Sequence, residues 1–389
     1  MSTHTVVVLG GSFAGLGIAH YLLRHVLPQL PDSASYKLVL VNPSDHFYFK
    51  PAAPRMAPRE DLISLDTIMR PIAPAFDRYS QFQFVQAYAR AVDPAQRQIT
   101  LEPVSGEPSI TLHYDSLVVA TGASSKSALW SPAVPKDATV SELGEFRSKL
   151  KSAQRIIIAG GGAVGVETAG ELGFDHGKTK DVILYSGSSS LLARVRPDVG
   201  QRAEQYLKQM GVTVVHGLKI ISSGPGSDGK ETLHLSDGSQ TSADLFLDAR
   251  GTSLNSSFLP PAWLNERGAV QVDGHLRVTA AGSGARVYAV GDIASYSSGG
   301  IMEIYDAVPA LAAVIEYDLT AGKSGAQPTY TGQKAQTMLV PVGRKKTVGV
   351  LFNYWVPSYM GYMIKGKTFM ADQGVATVNG AKWAKKKSF

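Results

Sequence analysis

The chain has 389 residues, 44% of them hydrophobic, with 39 glycines, no cysteine and a formal net charge of +6. That length accommodates two or three domains with real cores, and the composition excludes a disordered or fibrous chain. The lack of cysteine excludes disulfides, thiolate metal sites and dithiol relays, and no apolar run reaches the roughly 18 residues of a spanning helix.

Residues 5–9 read as a buried strand. They feed Gly10-Gly11-Ser12-Phe13-Ala14-Gly15, and a helix is predicted from Leu16 to about Leu27. Residues 36–41 form the next strand, ending at Asn42, so the segment has the length of a βαβ unit. Prolines at 43, 51, 54, 58, 71 and 74 then mark an irregular stretch of the kind that lines sites. Strands are predicted over 82–89, 98–101 and 112–120, the last ending in Ala120-Thr121-Gly122. A helix after Glu142 reaches Ala153.

A second βαβ unit opens with strand 155–159 and Gly160-Gly161-Gly162-Ala163-Val164-Gly165-Val166-Glu167, followed by strand 182–185. A helix over 199–210 precedes strand 212–215, and further strands are predicted at 233–236 and 244–249. Strand 287–290 ends in Gly291-Asp292, and a helix follows over 304–319. Residues 338–342 and 347–352 flank Gly343-Arg344-Lys345-Lys346, a predicted hairpin with a basic tip. The end, from Lys382, reads as a frayed tail. From Thr331 onward ten Lys/Arg stand against one acid, Asp372, a charge of +9 that leaves −3 for the rest. Such a patch favours anionic partners such as lipid head groups or phosphate cofactors, and nucleic acid is not the expected main one.

The two glycine loops carry the chemistry. A buried strand feeding a tight glycine turn aims the next helix's N-terminus at a pyrophosphate, and two such loops 150 residues apart imply two dinucleotides in one chain. In the first loop Ser12 stands where the pattern has glycine. Asn42 ends the second strand where an acid ordinarily chelates a ribose diol, and it reads equally as a turn former before Pro43. In the second loop Gly160, Gly162 and Gly165 match fully. Glu167 and Glu171 share one helix face, either solvated or near a nicotinamide where Glu167 moves a proton. Strand 182–185 ends at Ser186 with no acid, and Arg194 and Arg196 downstream are either solvated charges or partners for a 2′-phosphate, so NADH and NADPH both remain open. Asp292 at a strand end suits a sugar-alcohol hydroxyl, or caps a helix.

Taken in order, residues 10–15, 120–122, 160–171, 250–251 and 291–292 resemble the two-dinucleotide-binding flavoproteins, the pyridine nucleotide-disulfide oxidoreductase-like family. Asp45-His46-Phe47, Ala52-Ala53-Pro54-Arg55 and residues 338–352 are most similar to its apoptosis-inducing-factor-like branch (which includes ferroptosis suppressors), then to type II NADH:quinone dehydrogenases. The resemblance implies an α/β fold with two Rossmann-like dinucleotide-binding domains, the FAD domain (1–124 and 270–330) split by an inserted NAD(P) domain (125–269), and a small C-terminal α+β domain (331–389). It implies FAD held by Gly10, Gly11, Ser12, Phe13, Ala14, Gly15, Asn42, Lys50, Arg55, Ala120, Thr121, Gly122, Gly291 and Asp292. It implies NADH or NADPH held by Gly160, Gly162, Gly165, Glu167 and Gly251. Glu167 and Lys50 are the candidate catalytic residues, and a helix following Asp292 would stabilise negative charge on the flavin.

The implied activity is FAD-dependent electron transfer from NAD(P)H to a quinone-like acceptor. The polar run Leu247-Asp248-Ala249 before Arg250-Gly251 departs from relatives and motivates an alternative, a FAD-dependent oxidase or dehydrogenase of a small organic, secondary-metabolic substrate. Phe352, Tyr354, Trp355, Tyr359, Tyr362 and Phe369, interleaved with Lys365 and Lys367, suit either peripheral membrane contact through 352–389 or a cap over the flavin. An intracellular protein is expected, cytoplasmic or peripherally membrane-associated and not secreted. The first strand begins near Thr5, leaving no room for a leader, and Ser2 stands where myristoylation needs glycine. Oligomeric state is not fixed by the sequence.

Overall fold

The computed structural model describes residues 3–226 and 229–389; Ser2 lies outside them. The fold is α/β, built on two parallel sheets. The larger has seven strands in the spatial order Val287–Ala289, Ser116–Val119, His4–Leu9, Tyr36–Asn42, Phe82–Asp93, Gln98–Pro103, Ile110–His113. Its first five strands run parallel and the last two antiparallel. The smaller is wholly parallel, in the order Val212–Val215, Asp181–Tyr185, Arg155–Ala159, Leu245–Asp248.

Parallel strands covered on both faces read as unbroken apolar runs. Val6 and Val8 of the first strand join one core, while Val7 and Leu9 join the core on the opposite face. The strand Arg155–Ala159 divides likewise. Ile156 and Ile158 face the helices, whereas Ile157 and Ala159 pack with Ile220, Leu233 and Leu235 of an antiparallel three-stranded layer. A third sheet, Met338–Val342, Lys346–Leu351 and Tyr354–Trp355, packs its first strand against the helix Ala163–His176.

Three expectations need correction. The first helix, Phe13–Tyr21, is buried at every residue and continues as a π-turn over Leu22–Val26. The expected strand 112–120 is two strands, Ile110–His113 and Ser116–Val119, the second entering the parallel sheet while the first stays on the antiparallel edge. The predicted hairpin forms, Met338–Val342 pairing antiparallel with Lys346–Leu351, and at its tip Arg344 turns back onto Glu171 and Asp175 at 3.0 and 2.6 Å.

The tail is docked rather than frayed. Trp383 is buried against Gly17 of the first helix, the Lys387 N–H donates to Tyr21 Oη at 2.7 Å, and Lys386 pairs with Glu316 at 2.9 Å. Gly17 is what permits this approach, since a Cβ there would sit 3.0 Å from the indole.

Candidate active site

The two glycine loops are geometric copies. Gly10 N–H donates to Val41 O and Gly160 N–H to Tyr185 O, both at 2.8 Å. Both glycines have positive φ, +110° and +122°, and a Cβ on either would lie 2.4 or 2.5 Å from a carbonyl, of Ala120 or Ala249. Only glycine fits such a turn. Gly15 and Gly165 let each helix close on its strand, because a Cβ there would meet the carbonyl of Gly10 or Gly160. The copy extends further. Ala120-Thr121-Gly122 corresponds to Ala249-Arg250-Gly251, with φ of +59° at Gly122 and +57° at Gly251. Asn42 and Ser186 likewise each pack on the middle glycine of their loop, Gly11 or Gly161.

A cavity of about 610 Å³ opens at the first loop. Of the residues nominated for FAD, Gly10, Gly11, Ser12, Phe13, Ala14, Asn42, Lys50, Ala120, Thr121, Gly122 and Asp292 line it. Gly15 supports it from the helix side, and Gly291 supports it by its N–H to Tyr296 Oη at 3.0 Å. The lining fits a dinucleotide: a glycine cradle, an amide at the ribose position, and a partly buried acid and base further in. Asn42 Oδ1 accepts from Gly11 N–H at 2.8 Å while its Nδ2 donates to Ser44 O. The neutral amide thus fixes the loop's middle residue without adding charge.

At the opposite side of the cavity Lys50 donates from Nζ to Ala123 O at 3.2 Å. Burial lowers its pKa, and the charge of Asp292, also in the wall, opposes that shift. Asp292 is not a helix cap. The helix begins at Ile301, with Gly300 before it, and it is Gly300, Ile301 and Ile304 that bring the helix N-terminus to the cavity. The loop between, 293–300, folds onto Glu303, whose carboxylate accepts from Ser297 and Ser298.

Arg55 departs from its expected role. It does not line the cavity. Its guanidinium is buried on Glu171 at 2.7 Å, donates to the carbonyls of Gly366, Lys367 and Gly343, and stacks on Phe369. Four bonds from its two Nη atoms offset the cost of burying the guanidinium, while Nε, also buried, has no partner.

Glu167 does not line that cavity either. It is buried in the first turns of the second loop helix, and Lys365 closes on it at 2.6 Å while also donating to Leu339 O. Burial pushes the Glu167 carboxyl above its ordinary pKa, and Lys365 pulls it back only in part. Glu171, expected on the same helix face, is wholly buried between Arg55 and Arg344 rather than solvated.

The polar run before Arg250 also has a local account. Arg250 Nε and Nη2 clasp Asp248 at 2.8 and 2.6 Å, Arg250 Nη1 donates to Ile220 O, and the Asp248 carbonyl accepts from Trp130. Burial alone would raise the Asp248 pKa, but the Arg250 bonds outweigh it and hold it low. Arg194 donates to Ser298 O and Arg196 pairs with Asp198, so neither is an uncommitted phosphate ligand.

Sequence reasoning missed a good part of the cavity wall, including three polar residues. Tyr48, whose hydroxyl donates to Leu129 O, and His46 are on the proline-rich stretch beside recognised motifs, a signal that was available. Asn255, which exchanges hydrogen bonds with Thr121 across 134 residues, gave none. Of the aromatic set, Phe352, Tyr354, Trp355 and Tyr359 are exposed, Tyr362 is half-buried and Phe369 is fully buried under Arg55. Among the described residues, no helix is long and apolar enough to cross a membrane.

Residues 4–310 match the family model described as pyridine nucleotide-disulphide oxidoreductase. The chain is 35% identical over 412 residues to Oxidoreductase phnG of Penicillium herquei, covering 99% of this chain and 98% of that one. It is 24% identical over 381 residues to Ferroptosis suppressor protein 1 of Taeniopygia guttata, covering 96% and 95%. The structure of NDH2 from Plasmodium falciparum in complex with NADH superposes with a TM-score of 0.71 at 14% identity, covering 99% of each chain.

Proposed function

The chain belongs to the pyridine nucleotide-disulphide oxidoreductase family and is a flavoprotein oxidoreductase using FAD and NADH or NADPH; within that frame, we propose that it passes electrons to a diffusible quinone-like acceptor. One observation carries this reading. The chain has no cysteine, so the disulfide relay in the family's name has no counterpart, and electrons leave the flavin directly for a small molecule. FAD supplies the hydride and electron chemistry when bound. The protein contributes position, charge and protons.

In this reading the first glycine loop, Asn42 and Asp292 hold the flavin cofactor, and the second loop holds the nicotinamide cofactor. Lys50, its pKa depressed by burial, holds a proton at Nζ more weakly than a solvent lysine and can release it into the cavity. Glu167 accepts at Oε1 from Lys365 Nζ, and with its pKa raised by burial it can take up a proton there. The helix N-terminus at Gly300 directs a partial positive charge into the cavity. The domain limits implied by the motifs remain part of the proposal.

The exposed Phe352, Tyr354, Trp355, Tyr359, Met360, Met363 and Ile364 form an apolar face on the third sheet and its following helices. We assign that face to contact with a lipid–water interface, where quinones dissolve. The alternative, a FAD-dependent oxidase or dehydrogenase of a small organic substrate, stands beside it: the relative at 35% identity, Oxidoreductase phnG, is named for no quinone, although Asp248, which motivated that reading, is paired with Arg250 within its own turn.

Anaerobic mixing of the FAD-loaded protein with NADH or NADPH tests the reading. Bleaching of flavin absorbance, reversed by adding a benzoquinone, is expected. Bleaching by neither nicotinamide would overturn it.

A further inference from the structure

We propose that the adenosine end of the nicotinamide site reads a 2′-phosphate, through Ser186, His216 and Lys219, and so prefers NADPH; this rests on the assignment of the second glycine loop to a nicotinamide dinucleotide. Ser186 occupies in the second loop the place that Asn42 occupies in the first, packed against the middle glycine at the end of the second strand. In this fold the ribose is read at that place, and a carboxylate there accepts from a free 2′-hydroxyl while repelling a phosphate. Among the described residues no carboxylate bonds Ser186, Gly187 or Ser188. Glu204, on the far side of His216, is bound to His216 and Lys208 at 2.9 and 2.7 Å.

His216 stands behind the serine. The Ser186 hydroxyl lies 2.7 Å from Ser188 O and 3.0 Å from His216 Nδ1. On the other side, His216 Nε2 faces the Glu204 carboxylate at 2.9 Å. The bonds from Lys208 and His216 outweigh the burial of Glu204 and keep its pKa low. His216 thus ties the ribose-reading serine in place and keeps Glu204 turned from it.

Lys219 supplies the positive charge. Its alkyl stem lies along Gly187, where a Cβ would touch it at 3.3 Å, and its ammonium is exposed with no ion-pair partner among the described residues. Gly187 itself turns with φ of +68°, and this turn lies against the Lys219 stem. A dianionic phosphate is matched by a free cation and a serine-rich loop, and an uncharged ribose hydroxyl is not. The arginines that the sequence offered for this role, Arg194 and Arg196, are committed elsewhere.

Calorimetric titration of the FAD-loaded chain with adenosine 2′,5′-bisphosphate and with adenosine 5′-monophosphate tests this without turnover. The bisphosphate is expected to bind tighter by at least about tenfold, the scale of one or two charge-assisted bonds. Lys219→Ala, at an exposed position, and His216→Asn should each narrow that gap several-fold, and Lys219→Glu should close it. Equal binding of the two probes to the unaltered chain overturns the 2′-phosphate site and leaves the nicotinamide reading standing. Binding of neither probe overturns the nicotinamide reading, and the proposal with it.

Discussion

Arg55 and Glu171, 116 residues apart in sequence, meet at 2.7 Å in the seam where the flavin-side segment, the second loop helix and the C-terminal sheet converge. Neither is more than marginally exposed. Arg344 closes the other oxygen of Glu171 and passes the network to Asp175 and Arg59. Three parts of the fold are thus held by charge at one point. Removing one member leaves its partner buried and uncompensated.

Glu171→Gln should therefore lower stability by about 3–5 kcal/mol, read from urea unfolding. Arg55→Met with Glu171→Met should recover much of that loss. FAD content of the folded fraction should be unchanged in both, because Arg55 does not line the cavity. Loss of flavin from folded Arg55 variants would restore the role that the sequence suggested.

Asn42→Ala removes the acceptor of Gly11 N–H and the donor to Ser44 O. The loop loses its anchor at the ribose position. FAD dissociation, followed by recovery of flavin fluorescence, should become about tenfold more favourable, the value of one to two hydrogen bonds. Asn42→Asp keeps the acceptor and should cost less.

His20 gives the fold an acid sensitivity. It is fully buried, stacked on Phe76 at 4.0 Å, and donates from Nε2 to Val378 O, while Nδ1 has no partner. Burial lowers its pKa from 6.5 to about 4. The unfolded chain takes up the proton first, so stability present above pH 6.5 falls as the pH drops toward 4. The expected loss is roughly 2 kcal/mol by pH 5. Melting temperatures measured at pH 7 and pH 5 should show a smaller drop for His20→Gln than for the unaltered chain.

The apolar face at 352–364 should retain the protein on liposomes. Truncation is a poor test, since Trp383, Phe369 and Arg344 are built into the rest of the molecule. Tyr354→Ser with Tyr359→Ser and Met363→Ser changes only exposed side chains, and should abolish co-sedimentation while leaving the melting temperature within about 1–2 °C, as expected of surface substitutions. Equal pelleting would remove the membrane assignment.

The glycine loops were legible because their chemistry is local: a strand, a turn and a helix adjacent in sequence. The same locality made Asn42 and Ser186 visible as departures at a recognised place. What the sequence hid was pairing at a distance. Glu167 read as an open helical acid, yet Lys365, 198 residues on, closes it. Arg55 read as a cofactor ligand because it lies in a flavin-proximal motif, and nothing local shows that Glu171 claims it. The tail read as loose because its lysines suit solvent, although Trp383 needed a partner and found Gly17.

Strand Val287–Ala289 completes the parallel sheet beside Ser116–Val119, but it is made only after the whole inserted lobe. Until then Ser116–Val119, buried at every residue in the finished protein, is an open sheet edge. The nascent first half is accordingly a template for pairing with other chains, and its safe maturation depends on how quickly the intervening lobe condenses. Variants that slow that lobe, though distant from any cofactor, are the ones that should send this protein into inclusion bodies.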